Sequence, residues 1–204
     1  MVPRYVLIDT MSSNALPTRE RILGATWSLL EGGGSKVRMA DIAAAAKISR
    51  QALYLHFPTR AELLIAATRH VDEVKDVDAR LAASRSAPTG RARLAAFIAA
   101  WGGYIPEIHG VGRALMAMQG TDAEAASAWS DRMRAVRHGC AAAVDALQRD
   151  GDLAPSFTPE TATDFLSMLV SVPNWEHLVL DCGWPQERYV ATITRTAEDA
   201  LIAV

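Results

Sequence analysis

Residues 40–64 read ADIAAAAKISRQALYLHFPTRAELL, and the organisation of the whole chain follows from them. From about Met39 to Ala46, the residues Ile42, Ala43 and Ala46 recur at helical spacing on an alanine-rich segment that can pack closely. Only Lys47 and Ile48 separate it from Ser49, whose hydroxyl suits a helix N-cap. Ile48 and Leu53 flank that cap at the spacing of a hydrophobic staple, so a second short helix runs from Arg50 to about Phe57. Pro58 ends it. Thr59-Arg60-Ala61-Glu62 then has the pattern of a capping box, opening a further helix with Leu63 and Leu64 turned inward. Two short helices across a tight turn spell a helix-turn-helix.

Upstream, Thr18 reads as the N-cap of a first helix, with Glu20 in the turn where the helix dipole favours an acid. Ile22, Ala25, Thr26, Leu29 and Leu30 share one face, and Gly32-Gly33-Gly34 stops the helix. The run from Ala40 to Leu64 closely resembles the signature of TetR-like (tetracycline-repressor-like) regulators. It has Asp41-Ile42-Ala43 in the second helix, Ser49 before the third, Leu53-Tyr54-x-x-Phe57 within the third, and Glu62-Leu63-Leu64 entering the fourth. The resemblance covers about residues 18–64. It implies an all-α protein of about nine helices: a DNA-binding head on a larger helical body that encloses an effector and forms a homodimer. It also implies a regulator and not an enzyme. Three positions depart from the pattern. Arg38 stands at the second helix's N-cap and cannot cap it. Lys47 occupies the turn position where glycine is frequent, so a positive φ there costs on the order of 1 kcal/mol. Gln51 replaces a small residue and bears on sequence choice.

A recognition helix in the major groove presents its first turns to base edges and its flanks to phosphates. Arg50 and Gln51 lie in that first turn, with chemistry suited to guanine and adenine respectively. By resemblance, Tyr54, His56 and Arg60 match phosphate-contacting positions, Ser49 can donate to a phosphate as well as cap, and Arg38 joins the set. Arg50, Gln51, Tyr54 and His56 each have a plain alternative as a solvated or packing side chain. Leu53 and Phe57 share a face with Ile48 and belong to the core. The charge distribution agrees with this polarity: residues 1–64 carry eight Lys/Arg against five Asp/Glu, and the rest carries thirteen against eighteen.

The remaining residues spell long helices. A connector continues from Leu64 through Ala67, Val71 and Val74. Leu94, Phe97, Ile98 and Trp101 resume the period, and Gly102-Gly103 with Pro106 is expected to break it. From about Asp122 to Asp150, Trp129, Met133, Val136, Cys140, Val144 and Leu147 form one inward stripe. Thr158-Pro159 opens another helix, Pro173 should disturb it, and the last helix begins at Pro185. Five tryptophans and seven methionines suggest an adaptable apolar pocket. Trp101, Tyr104, His109, Met118, Trp129, Met133, Met168 and Trp175 are the candidates to line it for a small apolar or aromatic effector, with core packing as the alternative for each. Phe165, Leu169, Val172 and Ile193 are the candidates for a four-helix dimer interface.

Three stretches follow: a loose arm over 1–16, a DNA-binding unit over 17–64, and an effector-binding and dimerisation unit over 65–204. Two cysteines, no metal-ligand spacing, no catalytic constellation and no signal-like or membrane-length apolar run point to a cytoplasmic protein without metal or cofactor. The expected function is repression at a near-palindromic double-stranded operator, relieved by the effector. A constitutive DNA-binding dimer and a DNA-binding head fused to an enzymatic body remain the alternatives.

Overall fold

A computed structural model describes residues 16–33 and 37–203 of the 204-residue chain, so the proposed arm lies outside the described residues except for Leu16. Among the described residues there are ten α-helices, one π-helical segment and an isolated β-bridge between Leu153 and Ile202. The fold is all-α. Four helices, α1 (Thr18–Glu31), α2 (Met39–Ala45), α3 (Arg50–His56) and α4 (Arg60–Val74), form the head and its connection. Then come α5 (Val77–Arg85), α6 (Gly90–Met118), α7 (Ala123–Asp150), α8 (Pro159–Leu169), α9 (Val172–Trp175), the π segment Glu176–Asp181 and α10 (Gln186–Leu201).

Local chemistry explains most of the boundaries. Ser49 accepts from the Ala52 N–H at 3.1 Å, Thr59 from Glu62 at 3.2 Å and Thr158 from Thr161 at 3.2 Å, each side chain satisfying a donor that the helix leaves orphaned. Pro17, not Thr18, caps α1, so Thr18 is the first helical residue. Arg38 offers no side-chain cap; its own N–H donates to the Asp41 carboxylate at 3.4 Å, which supplies half of a capping box from inside α2.

The connector α4 reaches Val74, as far as its apolar spacing carries it, and Asp76, with a left-handed φ of 52° and a carboxylate that accepts from Ala79 at 3.3 Å, opens α5. The break expected further on is absent: α6 passes unbroken through Gly102-Gly103 and Pro106. Pro106 lacks the N–H that would bond the Gly102 carbonyl one turn back. Gln186 of α10 donates Nε2–H to that carbonyl at 2.7 Å, and its Oε1 accepts from Trp175 Nε1 at 2.8 Å. With the orphan acceptor satisfied from outside, the helix continues.

The core has two parts. One joins Ile22, Leu30, Ile42, Leu53, Leu63 and Leu64 of the head to Val111, Leu115, Ala125 and Ala128 of α6 and α7, so the apolar interior crosses residue 64 without a break. The other packs Leu94, Phe97, Ile98, Val144, Leu147, Leu166, Ile193 and Leu201 among α6, α7, α8 and α10. At two glycines, Gly90 of α6 and Gly139 of α7, the other helix leaves no room for a Cβ. A Cβ on Gly90 would lie 2.5 Å from the Leu147 nitrogen, and one on Gly139 would lie 2.6 Å from the Phe97 ring.

Candidate functional site

The short turn between α2 and α3 depends on Lys47, whose φ is 54°, the costly conformation anticipated for a non-glycine there. It turns α3 so that Leu53 and Phe57 are buried while Arg50, Gln51, Tyr54, Leu55 and His56 are exposed. Ser49 and Arg38 are exposed beside them. Gln51 and Leu55, four residues apart, share one face of α3. Leu55 is 82 % exposed, and the sequence reading passed over it. Its position off the Leu53–Phe57 stripe was the available signal.

Arg60 is elsewhere than the resemblance implied. Only 11 % of its side chain is exposed. Its Nη1 bonds both Asp122 oxygens, at 2.9 and 2.8 Å, its Nε donates to the Val37 carbonyl, and Nη2 approaches Met118 Sδ at 3.8 Å. The body thus occupies the guanidinium that was assigned to a phosphate. Asp122 also caps α7, accepting from Glu124 and Ala125 at 3.1 Å each. Burial alone would raise its pKa; the Ala125 N–H and the Arg60 charge outweigh that and hold the carboxyl below its ordinary value. Next to it, Glu124 accepts from the Ala61 N–H at 3.2 Å.

Between α4, α5, α6, α7 and α9 lies an apolar cavity of about 160 Å³. Val71, Leu81, Phe97, Trp101, Ile108, Val111, Leu115, Trp129, Met133, Val136 and Val172 line it, together with two charged residues, Asp72 and Arg132. Asp72 accepts from the Tyr104 hydroxyl at 2.8 Å and from Arg132 Nη1 at 2.5 Å. Burial raises the Asp72 pKa, partly offset by those two donors. Burial and the Asp72 charge push the Tyr104 phenol upward, so it remains a donor. Arg132 Nη2 bonds Asp131 at 2.7 Å. Asp72 and Arg132 escaped the sequence reading because they lie on different helices and meet only when α4 packs on α7.

Of the eight side chains expected to line a pocket, Trp101, Trp129 and Met133 do. Tyr104 stands behind Asp72 instead. His109 pairs with Glu176 at 2.7 Å and packs on the Trp175 ring, centroids 5.0 Å apart. Met118 is buried in the head's core, Trp175 is held by Gln186, and Met168 is 52 % exposed on the outer face of α8. Of the expected dimer residues, Leu169, Val172 and Ile193 are buried in the chain's own core, while the half-buried Phe165 packs on Phe157, ring centroids 5.5 Å apart. The 3.6-residue period distinguishes faces of a helix but not which neighbour each face meets.

No group of three or more His, Cys, Asp or Glu side chains among the described residues is placed to hold a metal. No helix among them is long and apolar enough to cross a membrane. The two cysteines are unpaired: Cys140 is buried, which pushes its thiol up to about 11, and Cys182 is exposed.

Residues 22–67 match the family model of bacterial regulatory proteins of the tetR family. The fold is similar to a solved TetR-family transcriptional regulator from Rhodococcus sp., with a TM-score of 0.72 at 20 % identity, covering 94 % of this chain and all of that one. A transcriptional regulator from Saccharomonospora viridis, solved with choline, gives 0.69 at 20 % identity over 91 % of this chain and 98 % of that one. FadR from Bacillus subtilis, solved with stearoyl-CoA, gives 0.69 at 12 % identity over 87 % and 96 %. No curated protein sequence matches the chain. The chain therefore carries the N-terminal helix-turn-helix domain of the TetR family on the fold of that family's transcriptional regulators.

Proposed function

We propose that the protein is a homodimeric repressor that binds a near-palindromic operator and releases it when a small apolar or aromatic molecule enters the body cavity. The observation that carries this reading is the double use of α4. Leu63, Leu64 and Ala67 belong to the core beneath α3, and Thr68, Val71 and Asp72, one to two turns further on, belong to the cavity wall. An occupant that moves this wall moves the support of the recognition helix. It acts only insofar as it binds the free and DNA-bound conformations unequally, and a tenfold effect needs about 1.4 kcal/mol of coupling.

On the DNA side, Arg50 and Gln51 are the base readers, with Arg38, Ser49, Tyr54 and His56 on phosphates. Arg60 is withdrawn from this set. On the dimer side, the exposed apolar side chains Met168 and Leu180, on α8 and the π segment, support an interface formed by the outer face of α8. A two-fold dimer with two identical heads demands half-sites separated by whole helical turns. The division at residues 64 and 65 marks a change of role and not a gap in packing.

The relatives solved with choline and with stearoyl-CoA indicate that this fold accommodates unrelated small molecules. The test is a binding selection from random duplexes followed by footprinting, with a ligand screen that reads tryptophan fluorescence and operator affinity together. A footprint on a single asymmetric half-site by a monomer rules out the dimer. Ligands that alter the tryptophans but never the operator affinity rule out the effector.

A further inference from the structure

Asp122 holds Arg60 against the body, so the surface past the end of α3 is left without that cation. A second arginine reaches the same end of α3 from the first turn of α1. Arg19 is exposed, and its guanidinium carbon lies 4.9 Å from the centroid of the Phe57 ring. Phe57 directly follows α3, three residues before Arg60. Its side chain is 3 % exposed and belongs to the head's core, so the ring offers Arg19 a fixed seat.

An arginine on an aromatic ring is attracted by the face of the π-system, and that contact uses none of its N–H donors. Arg19 gives none of them to an acceptor among the described residues. Glu20, Glu62 and Glu73 border open clefts with it, and none of them pairs with it. A lone guanidinium on a surface is ordinarily a mobile, solvated charge. The Phe57 seat makes this one a positioned charge with a planar fork of free donors, the geometry that a phosphate accepts bidentately.

The surroundings fix the class of partner. From Arg38 to Phe57 the head exposes Arg38, Lys47 and Arg50 against a single acid, Asp41. Arg19 carries this cationic surface past the far end of α3. A helix lying in the major groove has a phosphate strand on either side, so cations at both of its ends meet DNA backbone.

We infer that Arg19 is a DNA-backbone contact that grips a phosphodiester beyond the C-terminal end of α3, on the side from which Arg60 is withdrawn. This deepens the DNA-binding reading above and rests on α3 being the recognition helix.

The test compares full-length wild type, Arg19→Gln and Arg19→Lys in anisotropy titrations of labelled duplexes across a salt series. One duplex is an operator recovered by selection, and the other is an unrelated sequence of the same length. Arg19→Gln should lower the slope of log affinity against log salt by about 0.9 for each bound subunit, on both duplexes. The base motif recovered by selection should not change, because phosphate contacts carry no sequence information. Arg19→Lys should keep the slope, since the charge that displaces counterions persists. An arginine that merely covers Phe57 would lower the melting temperature and leave the slope alone, so thermal melts accompany each titration. An unmoved slope in Arg19→Gln, equal losses in Arg19→Gln and Arg19→Lys, or an altered motif overturns the inference. Wild type that binds neither duplex overturns it together with the DNA-binding reading. Wild type that binds with a slope indifferent to Arg19→Gln removes Arg19 alone and leaves that reading standing.

Discussion

Arg60, at the first turn of α4, and Asp122, at the N-cap of α7, hold each other through two hydrogen bonds of 2.9 and 2.8 Å. The pair fastens the start of α4, the helix that follows α3, to the start of α7. One carboxylate thus serves as a helix cap and as the anchor of the head.

Asp122→Asn should separate those roles, because asparagine caps as well as aspartate but carries no charge for Arg60. The expected loss is about 1–2 kcal/mol at neutral pH for a charge-assisted bond that is partly solvated. The folded-state pKa of Asp122 is depressed. Its contribution is therefore present above the unfolded carboxylate pKa and lost as pH falls through the folded one. The gap between wild type and Asp122→Asn should close on acidification, as thermal melts across the acid range will show. Asp131, also depressed, behaves likewise and remains in both proteins.

Arg60→Met should reduce stability and leave the salt dependence of operator binding unchanged, because this guanidinium faces the body. Arg38→Ala should do the reverse, lowering the slope of log affinity against log salt by about 1. A slope that drops with Arg60→Met returns that residue to the phosphate set.

Gln51→Ala should lose roughly 1–3 kcal/mol against the preferred operator and relax one base position. Leu55 lies one turn along the same face and presents an apolar surface suited to a thymine methyl. Leu55→Ala should reduce the preference for thymine at an adjacent position with little change in stability, since the side chain is 82 % exposed. Selections from random duplexes with each variant read both effects, and an unchanged motif from Leu55→Ala removes it from readout.

Met168→Glu should yield folded monomers in sedimentation. Ile193→Glu, by contrast, inserts a charge where the side chain is 4 % exposed in the chain's own core, and should unfold the body before it dissociates anything. Folded monomeric Ile193→Glu would place the interface on α10's inner face instead.

Gln186→Leu removes both the donor to the Gly102 carbonyl and the acceptor of Trp175 Nε1. Two buried groups lose their partners, so a destabilisation of about 2–4 kcal/mol is expected from denaturant melts, with hydrogen exchange rising near Pro106.

By itself the sequence determined most of what depends on neighbours within a turn or two of chain, the cap of α1 excepted. The caps at Ser49, Thr59 and Thr158, the tight turn at Lys47, the buried pair Leu53 and Phe57, and the start of α7 after Asp122 all follow from local hydrogen bonds and the helical period. That was enough for the all-α fold and the helix-turn-helix. Tertiary structure decided everything that needs a partner far along the chain. Pro106 leaves α6 intact only because Gln186 arrives from α10. Arg60 turns away from the outer surface only because Asp122 lies within reach, and Ile193 faces inward because α10 packs on α6 and α8. The polar end of the cavity exists only where α4 brings Asp72 against Arg132 of α7. Helical periodicity carries one angle per residue, which specifies the faces of each helix; the neighbour each face meets is set by how all the helices pack at once.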